Sequence, residues 1–202
     1  MIKKRMSSDE RKKQILDIAL DIFAQKGFSG ARTREIAELA GISETLIYRH
    51  FKTKEDLYAA ALHHLFGSHP MHSDMNGPLE CTDDEEVFFQ LALHMLKHTA
   101  KDPRIIRLHL FQLLDGQTGS NIEGRSEDRK TLAMLAEYIA NRSREGVFVQ
   151  QDPECMARLF HYMVYMAVTD AQMNLWGQRF ETSPEKMART LSQTFLNGLR
   201  QR

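Results

Sequence analysis

Apolar side chains recur every three to four positions through most of the 202-residue chain, which is the spacing of helices with one buried face. No run of alternating apolar and polar positions is long enough to predict a sheet. The one extended candidate, residues 147–149, contains only three residues. The pattern therefore predicts an all-α fold.

The first predicted helix lies upstream of residue 27. Its apolar face consists of Ile15, Ala19, Ile22 and Phe23, which lie three or four positions apart or side by side. Gly27 is expected to end this helix, because glycine readily adopts the left-handed conformation found at helix C-termini.

Two short helices joined by a tight turn are predicted next. Thr33 is expected to cap the first of them, since its hydroxyl can accept a hydrogen bond from a free backbone amide. Gly41 can take the left-handed conformation that the turn requires, and Ser43 is a favourable N-cap for the second helix. Ile47 and Phe51 lie one turn apart in that second helix and should face inwards.

Residues 33–51 therefore predict a helix-turn-helix, in which the start of the second helix is exposed for insertion into a DNA groove. The side chains on or near its outer face are Glu44, Thr45, Tyr48, Arg49 and His50. A further helix begins at Thr53, with Asp56 in the position of a capping-box acid. Lys54 lies in its first turn, where an ammonium group opposes the helix dipole but attracts a phosphate together with the free amides.

Three linked segments of this region resemble the signature of the TetR family of transcriptional regulators. They are Gly41-Ile42-Ser43, Tyr48-Arg49-His50-Phe51 and Phe51-Lys52-Thr53-Lys54-Glu55-Asp56-Leu57. Residues 15–28 also resemble the first helix of that family. The resemblance implies a DNA-binding domain, which we assign to residues 9–66, and a helical regulatory and dimerisation domain over residues 67–202.

The resemblance also implies a one-component repressor, which binds operator DNA as a homodimer and is released by a small hydrophobic effector. Each copy would place the helix from residue 44 to residue 51 in a major groove. The expected contacts to backbone phosphates come from Thr33, Ser43, Tyr48, His50 and Lys54. The expected contacts to base edges come from Glu44, Thr45 and Arg49. Arg49 suits guanine, and Thr45 suits the methyl group of thymine.

The net charge of the chain is zero, but the charge is segregated. Residues 1–66 contain 12 Lys and Arg against 9 Asp and Glu, whereas the remainder contains 15 against 18. Half of the basic residues in the first segment lie ahead of or at the start of the first helix, and these are Lys3, Lys4, Arg5, Arg11, Lys12 and Lys13. They predict either an arm that contacts phosphates or a solubilising tail.

The composition suits one small and one medium domain of an intracellular protein. Cys81 and Cys155 are too few for a disulfide framework, so both are predicted to be free thiols in a reducing compartment. No apolar run approaches the roughly 20 residues of a membrane span, and the N-terminus is too polar for a signal peptide. We therefore expect a cytoplasmic protein without a membrane partner.

The second half of the chain contains clear helix start signals. These signals are Thr82-Asp83-Asp84-Glu85, Asp102-Pro103, Asp152-Pro153 and Ser183-Pro184. The helices that they open are predicted over residues 83–101, 103–115, 153–176 and 184–200. A further helix is predicted over residues 126–144, after a loop from residue 116 to residue 124 that is rich in Gly, Ser, Thr and Asn.

The last two long helices predict self-association. The first of them is apolar around much of its circumference, and the second has apolar residues at four-residue spacing. The side chains expected at a dimer interface are Met163, Ala167, Met187, Leu191, Phe195 and Leu199. Pairing of these helices with a second copy would make a four-helix bundle with two-fold symmetry, and the alternative is a fully internal core helix.

The second domain is rich in methionine and aromatic residues, which suit an adaptable pocket for a hydrophobic ligand. The candidate ligand-binding residues are Met95, His109, Gln112, Met134, Tyr138, Tyr162, Met166 and Trp176. The same side chains at helical spacing also suit an ordinary core, so both interpretations remain open.

A cluster of metal-ligating residue types follows the predicted DNA-binding domain. Its members are His63, His64, His69, His72 and Cys81, but their spacing is not that of a known site. A metal-sensing or purely ligand-binding protein of the same fold remains the alternative to a repressor. The sequence contains no phosphate-binding loop, nucleophile elbow or paired metal-binding histidines. It therefore gives no reason to expect an enzyme, a cofactor or a resident metal.

Overall fold

The structure, a computed structural model, describes residues 6–67, 83–115, 125–177 and 181–200. Within these ranges the chain forms nine helices: α1 Ser8–Gly30, α2 Thr33–Ala40, α3 Glu44–His50, α4 Lys54–Gly67, α5 Asp84–Lys101, α6 Arg104–Leu114, α7 Arg125–Arg144, α8 Pro153–Met173 and α9 Pro184–Leu199. The β pairing found among the described residues is a single antiparallel bridge between Phe148 and Arg200. The prediction of an all-α fold is confirmed.

The chain divides into two compact units. The described part of the first unit is residues 6–67 together with 107–115, and that of the second is 83–106, 125–177 and 181–200. The boundary thus falls within α6. The predicted division into two contiguous domains did not anticipate that most of α6 belongs with the first unit.

The first unit is built on α1, which begins with a capping box between Ser7 and Glu10. The predicted apolar face is buried, with Ile15, Ala19 and Phe23 inaccessible to solvent. Gly27 ends the regular part of this helix, as predicted. It forms a kink, with φ of 70° and ψ of 175°, and a further turn continues to residue 30.

The turn between α2 and α3 has the predicted geometry. Gly41 is left-handed, with φ of 66° and ψ of 35°, and its amide bonds back to the end of α2. The Ser43 hydroxyl caps α3 by accepting from the Leu46 amide. The prediction for Thr33 is wrong, because α2 starts at Thr33 and its cap residue, Arg32, makes no side-chain capping bond.

Four phenylalanine rings form the centre of the second unit. Phe88 of α5 lies edge-on to Phe160 of α8, with ring centroids 4.9 Å apart, and 5.3 Å from Phe195 of α9. The ring of Phe148, which precedes α8, lies 6.4 Å from Phe88. All four rings are buried, so α5, α8 and α9 are joined through one aromatic core.

The helix boundaries of the second unit follow the predicted signals closely. Asp152 and Ser183 accept from the amides three residues ahead and cap α8 and α9. Asp83 caps α5, whereas Thr82 and the predicted loop over 116–124 lie outside the described residues. The helix α8 ends earlier than predicted because Asn174 is left-handed, with φ of 52°.

Among the helices of the described ranges, none is long and apolar enough to cross a membrane.

Candidate nucleic-acid interface

The helix α3 has one buried side and one exposed side. Ile47 is 1% exposed and Phe51, directly after the helix, is also buried. Thr45, Tyr48 and Arg49 are exposed, with Tyr48 exposed to 44%. A two-turn helix anchored through its inner face presents these three groups together, as the prediction requires.

Three of the predicted contact residues are hydrogen-bonded to one another. The Thr33 hydroxyl lies 2.5 Å from Oε1 of Glu44, to which it donates, and 3.1 Å from the hydroxyl of Tyr48. Thr33 is buried and joins the start of α2 to the start of α3. Its hydroxyl therefore has a role that the capping prediction did not foresee.

This geometry changes the roles expected of two residues. Because the single hydroxyl proton of Thr33 is directed at a carboxylate, Tyr48 donates its own proton to Thr33. Neither hydroxyl then has a proton left to donate to a phosphate oxygen, so the arrangement favours structural roles for Thr33 and Tyr48 over phosphate contacts.

Lys54 is positioned at the first turn of α4. Its Nζ lies 4.5 Å from the ring centroid of Phe28, a cation–π contact that restrains the side chain. The capping box predicted beside it is confirmed, since Thr53 and Asp56 each accept from the backbone amide of the other. Lys54 thus remains a candidate for binding an anion at a well-formed helix start.

Two other basic groups near α2 are engaged in ion pairs. Lys26 contacts the Glu35 carboxylate at 2.6 Å, and Arg34 contacts Glu38 one turn along α2 at 3.0 Å. Arg49 makes no ion pair with any of the described residues. Its guanidinium therefore keeps its charge available for a partner outside the chain.

The predicted basic arm is described only in part. Lys12 lies over the ring of Phe51, with Nζ 5.9 Å from the centroid, and Arg11 donates to Gln14. Lys3, Lys4 and Arg5 lie outside the described residues. His50, at the end of α3, is half-buried with its ring 6.2 Å from that of Phe51.

The arrangement of α2, turn and exposed α3 defines the class of helix-turn-helix transcriptional regulators. The sequence profile described as bacterial regulatory proteins, tetR family, matches residues 15–61. Over 60 residues, or 30% of this chain and 28% of the relative, the sequence is 48% identical to the HTH-type transcriptional regulator RutR of Escherichia coli. The chain belongs to the TetR family of transcriptional regulators.

Similarity extends beyond the helix-turn-helix. The chain is 24% identical over 157 residues to the HTH-type transcriptional repressor NicS of Pseudomonas putida, covering 76% of this chain and 72% of NicS. A solved TetR-like transcriptional regulator from a Rhodococcus species superposes with a TM-score of 0.74 over 96% of this chain and 98% of its own length. At 17% identity, that structure shows a shared fold.

The predicted ligand-binding residues are divided between the two compact units. His109 and Gln112 belong to the first unit, whereas the other six belong to the second. Trp176 is 84% exposed beyond the end of α8, and Tyr162 and Met166 are exposed on α8. Met95 of α5 and Met134 and Tyr138 of α7 are half-buried.

Two buried polar groups of the second unit were missed by the sequence-based prediction. The Thr131 hydroxyl on α7 and Oε1 of Gln172 on α8 have no hydrogen-bond partner among the described residues. The amide nitrogen of Gln172 donates to the main-chain oxygen of Thr99. Thr131 lies one turn before the buried Leu135, on the same face of α7. That spacing could have indicated from the sequence that Thr131 is buried.

The predicted dimer interface divides into two groups. Met163, Ala167, Met187 and Leu191 are half-buried in the single chain. Phe195 and Leu199 are buried within their own unit, and Phe195 packs against the core rings, so the single chain leaves little of either side chain exposed for an interface. The four-residue spacing of apolar side chains in α9 therefore marks the face that packs into the core.

A buried charge cluster fastens α5 to α7. Asp84 accepts from the hydroxyl of Tyr138 at 2.6 Å and from Nε and Nη2 of Arg142 at 2.7 and 2.9 Å. Burial alone would raise the pKa of Asp84, but hydrogen bonds from Arg142 and Tyr138 outweigh it and lower the pKa. Tyr138, predicted to bind ligand, is thus engaged in holding the fold.

The histidine-rich region gives no metal site in the described part of the chain, where no group of three ligating residues is found. Nε2 of His64 lies 3.1 Å from Oδ1 of Asp17, which joins α4 to α1. His69, His72 and Cys81 lie outside the described residues, and Cys155 is an exposed free cysteine.

Proposed function

We propose that the protein is a one-component repressor, which binds operator DNA as a homodimer and is released by a small effector. The observation that carries this proposal is the exposed face of α3, where Thr45 and Arg49 project from a helix whose other side is buried through Ile47. The N-terminal residues of such a helix reach base edges in a major groove. The similarity to NicS, which is named a repressor, supports the same direction of regulation.

The contacts fall into two classes. Arg49, which has no ion pair among the described residues, is proposed to donate to guanine, and Thr45 to contact a thymine methyl group. Ser43, His50 and Lys54 are proposed to contact phosphates. Contacts of the second class set the register of the protein but carry no sequence information.

Dimerisation is supported by an apolar stripe that the single chain leaves exposed. Leu159, Tyr162, Met166 and Met173 recur at helical spacing along α8, and all four are exposed. Large apolar side chains gathered on one helix face mark an interaction surface. A second copy of α8, with Met163 and Ala167 at the margin of the contact, is the proposed partner.

Effector binding is supported by the unpartnered polar atoms of Thr131 and Gln172 in the second unit. A buried polar group without a hydrogen bond costs roughly 1–3 kcal/mol, so such groups call for a function. An effector that is largely apolar, with one or two polar groups, would satisfy them. Its control of DNA binding cannot exceed its difference in affinity between the two states of the protein.

The proposed site of action is the cytoplasm, where operator DNA is accessible. The family and the lack of a membrane-spanning helix in the described ranges are consistent with this location.

A gel-shift assay with fragments of the source genome tests the proposal. The protein should bind at least one fragment specifically at moderate salt and should bind it less tightly after Arg49→Ala or Lys54→Ala substitution. Arg49→Ala should relax base preference at one position, whereas Lys54→Ala should weaken all sequences alike and reduce the salt slope by about one.

Two results would contradict the proposal. If no fragment is bound specifically, the repressor function fails, and a ligand-binding protein of the same fold becomes the better interpretation. If both variants lose affinity equally for all sequences, the proposal of DNA binding stands but Arg49 has no base-reading role.

A further inference from the structure

The donor and the acceptor of each hydrogen bond around Thr33 can be assigned. Glu44 can only accept, so the Thr33 hydroxyl donates to it over 2.5 Å, and the Tyr48 hydroxyl donates to Thr33 over 3.1 Å. A buried hydroxyl from α2 thus fixes a carboxylate at the first residue of α3. A charge-assisted hydrogen bond of this kind is stronger than one between neutral groups.

The position of this carboxylate matters because it lies where a helix-turn-helix meets DNA. Glu44 is half-exposed at the N-terminal end of α3, next to the exposed Thr45. A helix N-terminus also favours a negative charge, so the folded protein tolerates the group at this place. DNA phosphates repel it, and Glu44 therefore needs a hydrogen-bond donor on a base if it is not to weaken binding.

The donors in the major groove are the amino groups of cytosine and adenine. Adenine presents its amino group beside N7, an acceptor that repels a carboxylate. Cytosine presents its N4 amino group without an acceptor on the same base edge in the groove. A carboxylate that is restrained and can only accept therefore distinguishes the two bases in favour of cytosine.

We propose that Glu44 reads a cytosine amino group in the operator, and that Thr33 is the positioning residue that holds its carboxylate towards the base. This inference rests on the proposed function, since it assigns one base of the DNA that α3 would bind. It also replaces the phosphate contact expected of Thr33 with a role in sequence specificity.

The test uses the bound fragment from the gel-shift assay and a set of duplexes with each base pair changed in turn. The wild-type protein should prefer cytosine at one position by about tenfold or more, as expected of a specific base contact. Glu44→Ala should abolish that preference. Glu44→Gln should move it towards adenine, because a glutamine amide can both donate to N7 and accept from N6.

Variants of Thr33 test its positioning role separately. Thr33→Val should reduce the cytosine preference several-fold, and Thr33→Ser, which keeps the hydroxyl, should restore it. A merely structural role would lower the melting temperature and weaken all duplexes equally, with no loss of preference at the Glu44 position. That outcome would overturn the assignment of Thr33.

Glu38→Gln is the matched control for loss of a negative charge. Glu38 lies on the exposed side of α2 and pairs with Arg34, away from the Thr33 hydroxyl. This variant should change affinity for all duplexes alike and keep the cytosine preference.

The outcomes separate the two proposals. If the wild-type protein binds a fragment specifically but Glu44→Ala and Glu44→Gln keep its base preferences at every position, Glu44 is not a specificity residue and the proposed function stands. A preference for adenine in the wild-type protein that disappears in Glu44→Ala would overturn the cytosine assignment. If the wild-type protein binds no fragment specifically, both proposals fail.

Discussion

Nε of Arg107 on α6 donates a 2.7 Å hydrogen bond to the main-chain oxygen of Ala24 on α1. Three residues later, α1 is kinked at Gly27, where the ring of Phe111 from α6 packs against the backbone. Both contacts lie within the first compact unit. They explain why most of α6 belongs to that unit, although it follows α5 of the second unit in sequence.

Replacement of Gly27 by alanine should destabilise the first unit. The residue has φ of 70°, and an added Cβ would lie 2.7 Å from Cδ1 of Phe111. Backbone strain of this kind costs about 1–3 kcal/mol, and the close contact with the ring adds to it. Thermal unfolding of the two proteins measures the loss.

Gly146→Ala is the control for that measurement, because Gly146 has a similar φ of 78° but open space around its Cβ position. Its loss of stability reports backbone strain alone. Gly27→Ala should lose more stability than Gly146→Ala. Adding Phe111→Ala to Gly27→Ala removes the ring that the new Cβ would meet, so in this double variant the glycine substitution should cost less than it does alone. Equal losses at the two glycines would show that the approach of Phe111 costs nothing.

The Asp84 cluster predicts a pH dependence of stability. Because the pKa of Asp84 is lowered below its ordinary value of 3.8, its stabilising contribution is complete above that pH and is lost as the pH falls through the lowered pKa. Asp84→Asn should cost roughly 3 kcal/mol at neutral pH, since it leaves Arg142 without its buried partner. The difference from wild type should narrow below pH 3.8.

Glu145→Gln serves as the comparison for Asp84→Asn. Glu145 pairs with the same arginine, Arg142, at 2.5 Å, but is exposed. An exposed ion pair contributes little, so this substitution should change the melting temperature slightly at any pH. Parallel pH profiles for wild type and Asp84→Asn would exclude Asp84 as the titrating group.

Thr131 offers a test of effector binding that does not depend on DNA. Because its buried hydroxyl has no partner among the described residues, Thr131→Val should leave the stability of the effector-free protein unchanged or raise it. Thermal-shift screening with amphiphiles, dyes, acyl thioesters and divalent metals should identify a stabilising compound. The variant should then show a smaller shift with that compound.

Thr169→Val is the matched control for Thr131→Val. The hydroxyl of Thr169 donates to the main-chain oxygen of Tyr165 within α8, so its loss should cost stability without reducing the shift. A shift that is equal in wild type and in Thr131→Val would place the effector away from this hydroxyl.

A charge in the exposed stripe of α8 should prevent dimerisation. Met166 is 52% exposed in the single chain, so Met166→Glu should leave the folded subunit intact while placing a charge in the apolar contact. Sedimentation should then report the 23.4 kDa monomer in place of a dimer. Ala171→Glu, at an exposed position on another side of α8, should keep the wild-type mass. A dimer that persists in Met166→Glu would require a different interface.

Local signals in the sequence predicted the helices because the interactions that start and end a helix join neighbouring residues. Ser43 caps α3 through an amide three residues away, and Gly41 supplies the left-handed turn. The glycine signalled the non-helical conformation at Gly27, but nothing local signalled the further turn beyond it or the ring of Phe111 packed against it, more than eighty positions along the chain. A glycine at a helix end and a glycine at a kink have the same local signature.

Side-chain direction was predicted less well than secondary structure. The spacing of Phe195 and Leu199 on α9 correctly indicated one apolar face, but that face covers the core of its own subunit. The exposed stripe instead lies on α8, through residues such as Met166. Periodicity shows which residues share a face, whereas the packing of other helices determines which face remains exposed.

The sequence by itself determined the class of fold, the helix-turn-helix and the outward position of Thr45 and Arg49, because each depends on contacts within a few residues. Only the tertiary structure decided what Thr33 does. Its hydroxyl meets Glu44 eleven positions away and Tyr48 fifteen positions away, across the turn between two helices. The partners of a buried polar group depend on how helices pack together, and that packing combines weak contacts from the whole unit.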